Sequence, residues 1–327
     1  MKRTGMLTVA VVTIALLGAR PPAEAQKRNL AMGSTQTASS HYSYFVGAAK
    51  AINLLAPELN VTVVETGATV DNLKRMQKGQ LDMGLITADQ AYLAWKGQDI
   101  WKDVPFEGVR QLWCYSVSAN FVTVREETGI KSVYELTGTK FNPGIRGSSV
   151  EKQTEGVFGI LGIKPDWQRM GTADAVDAMK DRRIVGIAKS GIGFALDGSM
   201  MDVATQVPLR TLSFSEEDMK KVKAARPFVP WIRVPAGSIK GMGEFWTTAS
   251  LAFVGATKAL PADVAYRIVK AAWEGQEHQP QSVMGAAYRN PRATLEHAIS
   301  PLHAGAVRYY RELGLKVSEE LVPPEAK

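Results

Sequence analysis

With 327 residues, 45% of them hydrophobic, the chain is long enough for two α/β units with separate cores. Its formal net charge of +7 is mild, and no basic run is long enough for a nucleic-acid interface. A single cysteine, Cys114, excludes an internal disulfide and reads as a small buried hydrophobe.

The first element is basic MKRTG, then apolar MLTVAVVTIALLGA, then RPPAEA, ending at Ala25. The apolar run is short for a bilayer span and the exit is small-x-small, so residues 1–25 read as a secretory signal peptide cleaved near Ala25. Those residues hold Lys2, Arg3, Arg20 and Glu24, a net +2, which leaves +5 on the exported part. No later segment has the ~18 uninterrupted apolar residues of a membrane helix, so the expectation is a periplasmic protein that does not itself span the membrane.

The stretch GSTQTASSHYSYFVGAAKAI, Gly33 to Ile52, crowds small hydroxyl side chains before a predicted helix. A helix start leaves N–H groups unpaired and carries partial positive charge. The hydroxyls either cap those groups or leave them for an anion, and this stretch alone does not choose. NVTVVETG reads as a strand ending in a turn. TVDNLKRMQKG puts Val70, Leu73 and Met76 on one helical face, with Gly79 as the stop. LDMGLITADQ reads as a short buried strand. This order predicts a parallel βαβ unit, and ligands of such sheets sit at the carboxyl ends of the strands. That edge carries Thr66, Gly67 and Ala68, then Thr87, Asp89 and Gln90, beside residues 34–40.

VRQLWCYSVSANFVTVRE is longer than the other strands and suits a crossing between lobes. A second α/β unit follows: a helix over Ser132–Leu136, a strand over Lys140–Asn142, the loop PGIRGSS, and a helix from Val150 towards Leu161. Ser148 or Ser149 is the expected cap, with Glu151 in the first turn. Arg146, inside the loop, reads either as a carboxylate partner or as a solvent-facing side chain. Lys220, Lys221, Lys223 and Arg226 read as one solvated helix face. Two hydroxyl-rich helix starts in one α/β chain favour a cleft that holds an anion. Tyr44, Trp113, Tyr115, Phe194 and Trp231 are candidates to cover its apolar part, each with core packing as the plainer reading.

Catalytic constellations are mostly absent. The four histidines, His41, His278, His297 and His303, have no metal-ligand spacing. There is no G-x-S-x-G elbow and no Walker A loop, and Gly191-Ile-Gly193 lacks the third glycine of a dinucleotide fingerprint. No enzyme activity, metal or cofactor is expected. His41 is the histidine nearest the proposed pocket, as a ligand donor or in a capping or surface role.

Several segments together carry a resemblance. AMGSTQTASSHYSYFVGAAKAI, VVETGATVDNLKRMQKGQLDMGLITADQAYLAWKG, GIKSVYELTGTKFNPGIRGSS, VPAGSIKG and PLHAGAVRYYRELG resemble, in order, landmarks of the TAXI-family solute receptors of tripartite ATP-independent periplasmic (TRAP) transporters. The resemblance implies a type II periplasmic-binding-protein fold: two α/β lobes joined by crossing strands, with the ligand between them. The expected division is 26–120 with 246–327 as one lobe and 121–245 as the other. It implies no catalysis, but delivery of an organic anion, a mono- or dicarboxylate that is amino-acid-like or aromatic, to a membrane permease with fused small and large subunits. The positions that fall on its pocket loops are Ser34, Thr35, Ser39, Ser40, Tyr44, Gly67, Ala68, Asn72, Asp89, Gln90, Gly147, Ser148 and Ser149; Arg146 and Phe194 join them as ligand candidates. The chain departs from the family pattern at T-G-A-T, where T-G-G-S is usual, in Arg146 within the glycine loop, and in the stretch from Asp181, which lacks the family's acidic residue. Receptors of ATP-driven (ABC-type) transporters and sensors that dock on a membrane kinase share the two-lobe plan and stand as alternatives.

Overall fold

The computed structural model describes residues 27–280 and 290–327. The expected signal peptide lies outside the described residues.

The first lobe grows from β1 (Arg28–Gly33), which pairs in parallel with β2 (Leu59–Val64) on one side and β3 (Met83–Thr87) on the other. The anticipated βαβ unit is therefore parallel, with β1 inserted between its two strands. Helix α1 (Ser40–Leu55) links β1 to β2, and α2 (Thr69–Gln77) links β2 to β3. Val70, Leu73 and Met76 are buried on one face of α2, and Gly79 takes φ +69° just past its end, a conformation open to glycine at little cost. β3 is buried along its whole length, as a strand covered on both faces must be, and α3 (Ala88–Lys96) starts directly at its carboxyl end.

Two long strands tie the lobes together. β4 (Val109–Arg125) has 17 residues and β10 (Phe245–Thr257) has 13. They pair antiparallel with each other from Val109 to Ala119 on β4. Beyond that point β4 leaves for the second lobe, where it pairs with β7 (Gly186–Ser190) and β8 (Leu209–Leu212), while β10 pairs with β3 in the first lobe and β9 (Trp231–Val234) at its other end. The long strand read from the sequence does cross. Where it crosses, Asn120 fixes the junction: its Nδ2 donates to Gln153 Oε1 (2.6 Å), and its Oδ1 accepts from Ser250 Oγ (2.8 Å).

The second sheet continues through β5 (Lys140–Asn142), parallel to β7 and to β6 (Asp166–Trp167). It is flanked by α4 (Ser149–Leu161), α5 (Thr172–Lys180), α6 (Gly198–Ala204) and α7 (Glu216–Ala225). Helices α8 (Ala262–Glu274), α9 (Arg292–His297) and α10 (Ala304–Glu312) return to the first lobe. The segment Ser132–Leu136 forms a single 3-10 turn, Val133–Leu136, rather than an α-helix; it is too short between Gly129 and Gly138, both at positive φ, for more than one turn.

Each lobe has its own apolar interior. Phe45, Ile52, Ile268 and Tyr310 belong to a core on one face of the first sheet, and Leu73, Ile86, Trp101 and Phe253 to one on the other. Phe141, Phe158, Leu212 and Val222 fill the second lobe, with Met179, Ile187 and Met200 beside them. Cys114 is buried, and burial pushes its thiol up to about 12. Lys220, Lys221 and Lys223 are exposed on α7, whereas half-buried Arg226 pairs with Asp99 at 3.0 Å.

Candidate functional site

Between the lobes, the starts of α1, α2 and α4 converge on the carboxyl ends of β3 and β7, above the middle of β10. The lining alternates small hydroxyl and small apolar side chains. The first lobe supplies Thr35, Ser39, His41, Ala68, Thr69, Leu85 and Thr87; the second supplies Ile145, Ser148, Ser149, Val150, Ala188, Lys189 and Ser190; Ser250 and Ala252 come from β10. The space they line is small, about 50 Å³, and partly open to solvent. Among the described residues, no carboxylate lines it.

Each helix start is capped differently. On α1, Ser39 Oγ accepts from the His41 N–H, and Asp197 Oδ2 reaches across from the other lobe to accept from the Ser40 N–H (3.1 Å). On α4, Ser148 Oγ accepts from the Glu151 N–H (3.1 Å), which settles which serine is the cap. On α2 no side chain caps. The Gly147 carbonyl of the opposite lobe accepts from the Val70 and Asp71 N–H groups instead (2.9 and 3.3 Å). The two loops meet so closely that a Cβ on Gly67 would lie 2.9 Å from the Arg146 carbonyl oxygen. Ala68 sits at φ +76° at this point. The departure from T-G-G-S therefore places an alanine where glycine is at ease, and the strained backbone faces the cleft.

The charge in the site comes from Lys189, at the carboxyl end of β7. Its side chain is 5% exposed, and its partner is Asp197 Oδ1 at 3.5 Å, longer than an ordinary hydrogen bond. Asp197 lies behind it, wholly buried. Its Oδ1 accepts from the Ser199 N–H and Oγ (3.0 and 2.6 Å), and its Oδ2 from Ser40. Burial alone would raise this carboxyl, but Lys189, Ser199 and His41 outweigh it and hold it at about 2. His41 Nδ1 lies 3.0 Å from the Tyr115 hydroxyl, and burial lowers the imidazole to about 4, so it is neutral at neutral pH.

Of the residues anticipated from the sequence, Thr35, Ser39, Ala68, Ser148 and Ser149 line the cleft. The others do not, each for a local reason. Ser34 and Asn72 are fully buried beneath it, where Asn72 Nδ2 donates to the Ser34 and Leu85 carbonyls (2.8 and 2.9 Å). Ser40 turns outward; its Oγ accepts from the Gly198 N–H (3.2 Å) and its N–H meets Asp197. Gly67 and Gly147 form the contact between the lobes. Asp89 and Gln90 are buried in the first turn of α3, where burial raises the Asp89 carboxyl. Arg146 is exposed, and its guanidinium donates to the Arg169 carbonyl (3.0 Å). Phe194 is 38% exposed on the surface. Tyr44 stacks on Tyr115 with centroids 4.0 Å apart and accepts from Trp113 Nε1 (2.7 Å), so these aromatics are core. Trp231 packs edge-on against Phe214.

Lys189 escaped the sequence reading, as did Ser190, Thr69 and Ser250. A signal was present in IVGIAKSG: a lone lysine ends an apolar strand just before a glycine, at the edge where α/β sheets hold ligands. Among the described residues no group of acidic, histidine and cysteine side chains is arranged to hold a metal ion, and no helix is long and apolar enough to cross a membrane.

The family model for NMT1-like proteins matches residues 32–314. The chain belongs to the NMT1-like family. Its two α/β lobes joined by crossing strands match the two-lobe fold anticipated from the sequence. Similar solved structures include an ancestral arginine-binding protein bound to arginine (14% identity, 77% of this chain and 94% of that one, TM-score 0.49). The alkanesulfonate-binding protein SsuA of Xanthomonas axonopodis pv. citri bound to MOPS aligns at 15% identity over 92% and 98% of the two chains, with a TM-score of 0.47. The ligand-binding component of an ABC-type import system from Staphylococcus aureus aligns at 14% identity over 92% and 98%, with a TM-score of 0.49.

Proposed function

We propose that this NMT1-like chain is the extracytoplasmic receptor of a transporter, capturing an organic anion between its lobes and delivering it to a membrane permease. The observation that carries this reading is the cleft itself: hydroxyl-rich helix starts from both lobes surround one buried ammonium, Lys189, with no lining carboxylate. An anion there meets a cation, unpaired hydroxyls and the positive ends of helices. Ligand contacts to both lobes favour the closed arrangement, and the closed surface is what the permease reads. The TAXI-like landmarks favour a TRAP permease of fused subunits as the partner. Export by a signal peptide cleaved near Ala25, and lobes divided at about residues 120 and 246, complete the proposal.

A thermal-shift panel of organic acids, amino acids and neutral sugars tests it. A ligand at one hundred times its Kd stabilises by about 2.7 kcal/mol. Stabilisation confined to organic anions supports the reading, and stabilisation by neutral sugars alone refutes it. The partner is tested separately, by whether the permease gene beside this one encodes a fused TRAP subunit or whether an ATPase gene stands there instead.

A further inference from the structure

We infer that the ligand is a small monocarboxylate without an amino group, whose carboxylate is held by Lys189. This rests on the receptor reading above and narrows it. Three independent features of the cleft lead to it.

The first is volume. The space open to the centres of water-sized groups is about 50 Å³, which suits a compact ligand body. Acetate, propionate and 2-hydroxypropionate fit such a space.

The second is charge. Lys189 is the one cation among the lining residues, because the neighbouring imidazole of His41 is neutral at neutral pH. A second carboxylate on the ligand would be buried without a counter-ion. An α-amino group fares no better. Among the described residues the acid paired with Lys189 is Asp197, which lies behind it with both oxygens already accepting and does not line the space. A ligand ammonium would therefore be desolvated without a carboxylate partner, which is strongly unfavourable. Asp197 acts as a positioning residue that fixes the Lys189 ammonium from the far side.

The third is hydrogen bonding. Ser190 Oγ is buried beside Lys189 with no hydrogen-bond partner among the described residues, so its proton is available to a carboxylate oxygen. Ser250 has given its proton to Asn120 and presents lone pairs, which suit a hydroxyl on the ligand. Ala68, Leu85, Val150 and Ala252 leave the rest of the space for a short aliphatic body.

Isothermal titration calorimetry on the purified protein, with matched three-carbon ligands, tests the inference. Propionate, 2-hydroxypropionate and 2-oxopropionate are compared with alanine, which differs by an ammonium, and with succinate, which adds a carboxylate. At least one of the first three is expected to bind, with alanine and succinate about 100-fold weaker or more. Lys189→Gln is expected to weaken the best ligand about tenfold or more, in line with a lost charge-assisted hydrogen bond. Lys189→Arg keeps the charge but overfills the space and is expected to weaken it as well. Alanine or succinate binding as tightly as propionate overturns the inference while leaving the receptor reading intact. An unchanged Kd in folded Lys189→Gln overturns the role of the lysine. Binding by none of these acids overturns the inference, and the wider thermal-shift panel then decides the receptor reading separately. The wild-type comparison needs no variant and decides the ligand class even if the substitutions prevent folding.

Discussion

Asp197→Asn perturbs the site at its most connected residue. The carboxylate is wholly buried, pairs with Lys189 at 3.5 Å, and accepts from donors on both sides: Ser199 N–H and Oγ at one oxygen, Ser40 N–H at the other. Asparagine keeps the shape but must turn its NH₂ towards the Ser40 N–H or the Ser199 N–H, neither of which can accept, although the Ser199 hydroxyl can. It also leaves the Lys189 ammonium buried without its charge partner. Breaking a buried pair by removing one member costs about 3–5 kcal/mol. At about 2–4 °C per kcal/mol, the melting temperature should fall by about 6–20 °C. The acid range gives a second signature. The Asp197 carboxyl lies at about 2 in the folded protein against 3.8 ordinarily, so its contribution is complete above about pH 3.8 and is lost as pH falls through about 2. That shift corresponds to about 2 kcal/mol. Melting curves of wild type and variant at pH 7 and through the acid range read both effects. A fall under about 2 °C at pH 7, with parallel acid profiles, would show the pair to be solvated and the argument mistaken.

Three further outcomes are expected. His41 is held neutral by burial at about 4 against 6.5, so its contribution is present above about pH 6.5 and is lost as pH falls through about 4; His41→Gln should flatten the pH dependence of melting by about 3 kcal/mol across that window. Ala68→Gly should raise stability by about 1 kcal/mol in chemical denaturation, because Ala68 holds φ +76° at the start of α2, although the added freedom of the unfolded chain takes back part of the gain. Arg146→Ala should change the Kd of any anionic ligand less than about twofold by calorimetry, since the guanidinium is exposed and bound to the Arg169 carbonyl; an interaction made with the ligand would be worth about tenfold or more.

Much of the architecture was legible because it rests on local patterns. The β-branched run of β2, the apolar face of α2 and the buried run of β3 each announce their element through periodicity, and their order announces a parallel sheet. The 17-residue β4 was legible by length alone. The site was legible only where capping chemistry marks it. Ser39 and Ser148 sit at helix starts and line the cleft, and each caps its own helix, so of the opening alternative the capping half is the one the structure shows. What the sequence does not encode locally is which side of a loop faces the other lobe. Arg146 and Lys189 look equally able to meet an anion, but Arg146 turns to solvent while Lys189 points inward from a strand end. Gly147 reads as a pocket glycine, yet its carbonyl caps α2 across the cleft, a pairing set by tertiary approach rather than by spacing. Tyr44, Trp113 and Tyr115, candidates in sequence to cover a ligand with core packing as the plainer reading, are core in the fold.

The most direct test of the central claim is a crystal structure of the protein with its best organic-anion ligand. The account predicts density between the lobes, with one carboxylate oxygen within hydrogen-bond distance of Lys189 Nζ and Ser190 Oγ. Ligand density elsewhere on the molecule, or an empty cleft in a protein whose affinity for the ligand is already measured, would contradict it.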